Sequence, residues 1–189
     1  MGLLIAGLLD RVRHLATKNG FGAIALIVTV GMGAYLRYQG HDLRTTEAPS
    51  GIVSLELACA ASKAADIIRS WAGDKHQIAV DQVLFDFIFI LGYACFGLYL
   101  GFKAADRARG RGVMRLARAA AAAGIGALAA GVLDCLENIG LLLMLGGHVS
   151  PATAFFTSLF ATTKFALLAV AAIVVLAAAL WPAARLAPG

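Results

Sequence analysis

Charged residues are scarce in this sequence. Only 14% of its 189 residues are Asp, Glu, Lys or Arg, whereas 60% are hydrophobic, and the mean hydropathy is +0.82. Soluble globular domains usually carry about 25% charged residues, so this balance argues against that class. The composition therefore predicts a membrane protein.

Several motifs of well-known enzyme and cofactor sites are missing as well. The three cysteines, Cys59, Cys95 and Cys135, form no CxxC pair, which argues against a thiol–disulfide exchange enzyme. The sequence has no GxGxxG, HExxH or nucleophile-elbow pattern. We therefore expect no cofactor and no metal.

Histidines leave one alternative open. His41, His76 and His148 all fall on the predicted outer side, where Asp81 or Glu137 could join them as metal ligands. Their spacing matches no known metal-binding motif, so a metal site is only the second interpretation of these residues.

Four apolar runs are long enough to cross a bilayer, which takes about 20 helical residues for roughly 30 Å of hydrocarbon. They occupy residues 20–38, 82–102, 119–145 and 152–181. Spanning segments in lipid must satisfy their own backbone hydrogen bonds, so these runs should be helices. The predicted fold is an all-α membrane protein, a four-helix bundle forming one domain over residues 1–189.

Two shorter helical regions should accompany the bundle. Residues 1–18 have amphipathic spacing and predict an interfacial helix. Residues 39–81 form the predicted external segment, in which the pattern over 55–71 favours a single small helix. Trp71 at its end should lie near the lipid headgroups as an interfacial aromatic residue.

The distribution of basic residues predicts the topology. The net charge is +5, but the basic side chains cluster before the first span and in the predicted 103–118 loop rather than on one nucleic-acid-binding face. Residues 39–81 have four basic residues against six acidic ones. The positive-inside rule then places both termini and the 103–118 loop in the cytoplasm. We expect a multi-pass protein of the cell inner (plasma) membrane, with anionic lipids contacting that loop and no nucleic-acid partner.

Ionisable residues within the spans indicate a functional site, because burying them in lipid is costly. Helical spacing places several polar residues on faces that could meet in one polar site opening to the outside. The candidate ligand-binding residues are Asp86, Tyr93, Asp134, Glu137, Asn138 and Lys164.

Charge counting suggests what such a site would bind. Three of these residues are carboxylic acids and only Lys164 is a base, so a fully ionised site would be negative. The first interpretation is therefore binding or transport of a small cation, a proton or an amine-bearing lipid.

Other interpretations fit the same residues. Asp134 or Glu137 could act as the general acid or base of a lipid-modifying enzyme. The charges could instead pair with a partner, as in an accessory subunit of a larger membrane complex or a homo-oligomer. An ion pair between Asp134 and Lys164 could also simply stabilise the bundle.

Overall fold

The computed structural model describes residues 14–181, and every regular element in this range is helical. The helices are α1 (Asn19–Gln39), α2 (Ile52–Glu56), α3 (Ala61–Ser70), α4 (Asp74–Gly110), α5 (Met114–Leu145) and α6 (Pro151–Leu180), with a 3-10 helix at Gly40–Leu43. The predicted N-terminal interfacial helix falls mainly on residues 1–13, which lie outside the described range.

Four of these helices are long and apolar enough to cross a membrane: α1, α4, α5 and α6. At about 1.5 Å per residue, the 21 residues of α1 cover roughly 31 Å and the 37 residues of α4 roughly 55 Å. Each helix can therefore cross a hydrocarbon core of about 30 Å. The predicted all-α, four-helix membrane fold is confirmed, and the chain is a multi-pass membrane protein.

The predicted 103–118 loop is mostly helical, which corrects the boundaries of the second and third spans. Helix α4 continues to Gly110 and α5 begins at Met114, so only residues 111–113 form the turn. Buried alanines explain the extension, because Ala105 and Ala108 pack against Ala120 and other small residues of α5 and α6. The basic side chains near this turn therefore project mainly from helix ends.

The predicted external segment 39–81 is also shorter than expected. Gly73 has a φ of 74°, a backbone conformation that favours glycine, and α4 begins directly after it at Asp74. The prediction of one helix over 55–71 was wrong, since α2 ends at Glu56 and α3 begins at Ala61. We refer to residues 40–73 as the cap, and to the end of the bundle that it covers as the cap end.

Trp71 is a core residue of the cap and not an interfacial aromatic residue. Its side chain is fully buried, and its Nε1–H donates a hydrogen bond to the Leu43 carbonyl oxygen at 2.7 Å. It belongs to an apolar cluster that includes Leu55 of the cap, Val83 of α4 and Leu141 of α5. The cap is thereby packed onto the bundle, which supplies the core that so short a segment cannot build alone.

Small residues let the spanning helices approach closely. A Cβ atom on Gly101 of α4 would lie 2.5 Å from the Cα of Gly124 on α5. On another face of α4, a Cβ on Gly92 would lie 3.0 Å from the backbone nitrogen of Thr29 on α1. Close contact of this kind is how helices associate in lipid. Helix α6 packs on α5 and on α4, so the bundle places polar faces of three spans near one another.

Candidate functional site

A buried ion-pair network centres on Lys164 of α6, whose side chain is only 6% exposed. Its Nζ lies 2.5 Å from Asp134 Oδ1 and 2.7 Å from Glu137 Oε2, both on α5. A third carboxylate oxygen, Oε2 of Glu56 in the cap, lies 3.7 Å from the same nitrogen. Lys164 is the only buried cation in residues 14–181, so the three acids share one ammonium group.

Two further hydrogen bonds join α4 to α5 beside this network. The Tyr93 hydroxyl donates to Asp134 Oδ2 at 2.7 Å, so that Asp134 bridges Tyr93 and Lys164. The Asn138 side-chain amide donates to Asp86 Oδ2 at 2.8 Å. The structure thus brings together all six residues that the sequence singled out.

Helical spacing explains why these side chains meet. Asp134, Glu137 and Asn138 occupy neighbouring positions at i, i+3 and i+4 on α5. Asp86 and Tyr93 lie two turns apart on the same face of α4. The close packing of α4 on α5 brings these two faces within hydrogen-bonding distance.

Sequence reasoning missed Glu56, which it assigned to the external segment without a role. This residue is 8% exposed, and its Oε2 accepts no hydrogen bond within the described residues. An acid between Leu55 and Leu57 was the available signal, because an apolar setting of this kind suggests a buried carboxyl. What the sequence could not show is that the cap folds back to Lys164.

Gln82 of α4 is a buried polar residue that was not among the candidates from the sequence. Its Nε2 donates to the Leu36 carbonyl oxygen of α1 at 2.8 Å, while its buried Oε1 has no partner in the part of the chain that the structure describes. A buried acceptor without a donor is costly. The hydrogen bond from Gln82 to Leu36 joins α4 to α1 near the cap end.

A cavity of about 590 Å³ adjoins the network. Its polar wall is formed by Gln82, Asp86, Tyr93, Asp134, Asn138 and Lys164, together with Glu56 of the cap. Glu137 does not line this cavity, because its side chain is fully buried. Five of the six predicted residues therefore face the cavity, and Glu137 reaches it only through the Lys164 ammonium.

Most of the cavity wall is apolar. From Gln82 at the cap end, its lining continues along α4 to Leu100, roughly 27 Å at about 1.5 Å per residue. The deeper walls are aromatic and aliphatic side chains from α4 and α6, among them Phe96, Leu168 and Val175. The cavity is thus an elongated apolar groove with a polar wall near the cap end.

The electrostatic balance of the site is negative if every group is ionised. Four carboxyls, those of Glu56, Asp86, Asp134 and Glu137, face the single ammonium of Lys164. An unbalanced cluster in a low-dielectric setting must hold protons or receive a cation. Burial indeed raises the pKa of the cap residue Glu56, an effect that Lys164 opposes. A raised pKa favours the neutral carboxyl and reduces the negative charge.

The histidines do not form the alternative metal site. His76 contacts the Leu145 carbonyl oxygen at 3.0 Å, and His41 lies 3.8 Å from Asp42. Over residues 14–181, no group of three His, Cys, Asp or Glu side chains is arranged to hold a metal ion.

Neither a protein-family model nor a curated protein sequence nor a solved structure matches this chain. The geometry itself offers an amphipathic cavity with a surplus of carboxyl groups on its polar wall.

Proposed function

We propose that this protein binds an amine-bearing lipid in its intramembrane cavity, with the headgroup at the polar wall and the hydrocarbon chain in the apolar groove. The observation that carries the proposal is the shape and lining of the cavity, which joins an acid-rich wall to a long apolar groove. A bare ion or proton would need the polar wall alone. The apolar length therefore favours a lipid over these smaller ligands.

The polar wall suits an ammonium group. Asp86 lines the cavity and is half-buried, with Asn138 as the donor to one of its oxygens. Gln82 and Glu56 add an amide and a second carboxyl group to the same wall. An ammonium carries three donors and a positive charge, so it can satisfy such acceptors and offset the surplus acid at once.

Binding of a long-chain amine tests this proposal. A photoreactive sphinganine, with its reactive group in the chain, is cross-linked to the protein in phosphatidylcholine nanodiscs and displaced by unlabelled competitors. We expect sphinganine to displace it at a concentration at least tenfold lower than hexadecanol, which lacks the amine. Asp86→Asn should weaken sphinganine binding at least tenfold, whereas Asp81→Asn on the same helix, outside the cavity lining, should leave it unchanged. Equal displacement by the alcohol, or normal binding by Asp86→Asn, would refute the proposal.

The groove is tested separately by obstruction. Leu168→Trp places a larger side chain in the cavity wall and should abolish cross-linking. Leu159→Trp is the matched control, because Leu159 is exposed on the same helix and lies outside the cavity lining. If both variants cross-link like the wild type, the hydrocarbon chain does not occupy this groove.

The proposed orientation places the cap and the cavity mouth on the outer side of the plasma membrane, with both termini in the cytoplasm. Supporting this, Arg107, Arg109 and Arg111 lie at the opposite end of the bundle, near the 111–113 turn. Single cysteines at Ser50 and Gly110, in a background without native cysteines, are labelled in intact cells with an impermeant maleimide. Ser50→Cys should react from outside and Gly110→Cys only after permeabilisation; the reverse pattern would invert the topology.

A lipid-modifying enzyme is the second candidate function. Its support is the hydrogen-bonded series of Tyr93, Asp134 and Lys164 on the cavity wall, which could transfer a proton to or from a bound molecule. Mass spectrometry of lipid incubated with the protein distinguishes this function from simple binding. A product absent with Tyr93→Phe would support catalysis, and unchanged lipid would favour binding alone.

A further inference from the structure

Two arginines line the cap end of the cavity. Arg37 is near the end of α1, and Arg44 follows the 3-10 helix of the cap. Both side chains are exposed, and within residues 14–181 neither guanidinium group has an ion-pair or hydrogen-bond partner. Guanidinium groups are well suited to bind phosphate or carboxylate oxygens.

Together with these arginines, the cavity wall changes in charge and polarity with depth. Gln82 bonds to the carbonyl of Leu36, so Arg37 lies at the level of Gln82. Asp86 lies one helical turn deeper, roughly 6 Å along α4, and Tyr93 roughly 10 Å beyond it. The apolar groove follows. From the cap end inward, the walls therefore present the two arginines, then Asp86 and the acid-rich network around Lys164, then apolar side chains.

Resting on the proposed function, we infer that the ligand is a long-chain amine with a terminal anionic group, in the order anion, ammonium, hydrocarbon chain. In a 2-amino-alkyl phosphate these two charges are separated by only a few bonds, which fits the single helical turn between Gln82 and Asp86. The anion contacts Arg37 and Arg44 at the mouth, the ammonium contacts Asp86, and the chain enters the groove.

The opposite order fits poorly. Phosphatidylethanolamine places its phosphate between the chains and the ammonium, so its phosphate would face the acids and its ammonium the arginines. Like charges in this arrangement repel. The inference therefore predicts discrimination by the order of charges, beyond a general affinity for amines.

The test uses the same photoreactive sphinganine in nanodiscs, with sphinganine 1-phosphate, sphinganine and phosphatidylethanolamine as competitors. We expect sphinganine 1-phosphate to compete at a concentration at least tenfold lower than sphinganine, and phosphatidylethanolamine to compete more weakly than either. Arg37→Gln combined with Arg44→Gln should remove the advantage of the phosphate without weakening sphinganine competition, because loss of two nearby cations does not disfavour an ammonium group. Arg69→Gln is the control, because Arg69 is a cap arginine that pairs with Asp66 outside the cavity lining.

The outcomes separate this inference from the proposed function. If sphinganine binds and depends on Asp86 but the phosphate gives no advantage, only the charge order is refuted. If sphinganine does not bind, the proposed function fails first. The anion could be part of the lipid or a separate phosphate ion, and inorganic phosphate added together with sphinganine distinguishes these two sources. If inorganic phosphate tightens sphinganine binding through both arginines, and sphinganine 1-phosphate has no advantage, the inference that one ligand carries both charges is refuted. Retained sphinganine binding by the double arginine variant shows that it is folded.

Discussion

Replacing Lys164 by methionine should destabilise the protein more than any single replacement of its acidic partners. The substitution keeps most of the side-chain volume but removes the ammonium that lies 2.5 Å from Asp134 and 2.7 Å from Glu137. Loss of one partner from a buried ion pair costs about 3–5 kcal/mol. Glu56 at 3.7 Å would lose the same counter-charge, so the upper part of this range is expected.

Asp134→Asn should be less damaging. Lys164 keeps Glu137 as a close partner, and the asparagine side chain still offers an oxygen to the Tyr93 hydroxyl. A cost of about 1–3 kcal/mol, typical of a weakened buried hydrogen bond, is expected. The double variant removes both charges together, so its destabilisation should be smaller than the sum of the two single effects by about 1–3 kcal/mol.

Reversible unfolding in mixed detergent micelles near neutral pH measures this double-mutant cycle. The matched control is the exposed pair Asp66 and Arg69 in the cap, replaced by Asn and Met, for which a coupling of about 0.2–1 kcal/mol is expected. Additive effects of Asp134→Asn and Lys164→Met, within about 0.5 kcal/mol, would show that the two side chains do not depend on each other for stability.

Three further changes test other parts of the structure. Gly101→Ala should lower the free energy of unfolding in detergent by about 1–3 kcal/mol, because its Cβ would meet the α5 backbone. Gly126→Ala should be close to neutral, because a Cβ there has no neighbour within 4 Å. Similar effects of the two substitutions would contradict the close packing of α4 on α5. Glu56→Gln should gain stability relative to the wild type as pH rises above about 4.3. In the wild type, the raised folded-state pKa of Glu56 stabilises the fold below the unfolded-state pKa, and this stabilisation is lost as pH rises through the folded-state pKa. The opposite trend with pH would indicate a lowered pKa. Trp71→Phe should lower stability by about 1–3 kcal/mol through loss of its buried hydrogen bond, and the exposed Trp181→Phe is its control. Equal melting temperatures of the two variants would show that this hydrogen bond does not stabilise the fold.

The sequence by itself determined the spans and the candidate polar residues. Hydrophobic length is a property of consecutive residues, so four apolar runs were enough to predict four spanning helices. The cost of burying charge in lipid likewise pointed to Asp134, Glu137 and Lys164 without knowledge of their neighbours. Exact boundaries were less accessible, because the alanines around Ala108 continue the helix by packing against other helices.

The tertiary structure decided which side chains meet and what space they enclose. Helix rotation and depth set the contact of Asp86 with Asn138 and that of Tyr93 with Asp134, and neither quantity is encoded in one local segment. Only the folded cap brings Glu56 to Lys164. The cavity depends on several helices at once, because its walls are faces of different spans separated along the chain. Local hydrophobicity thus specified the helices, whereas long-range packing specified the site.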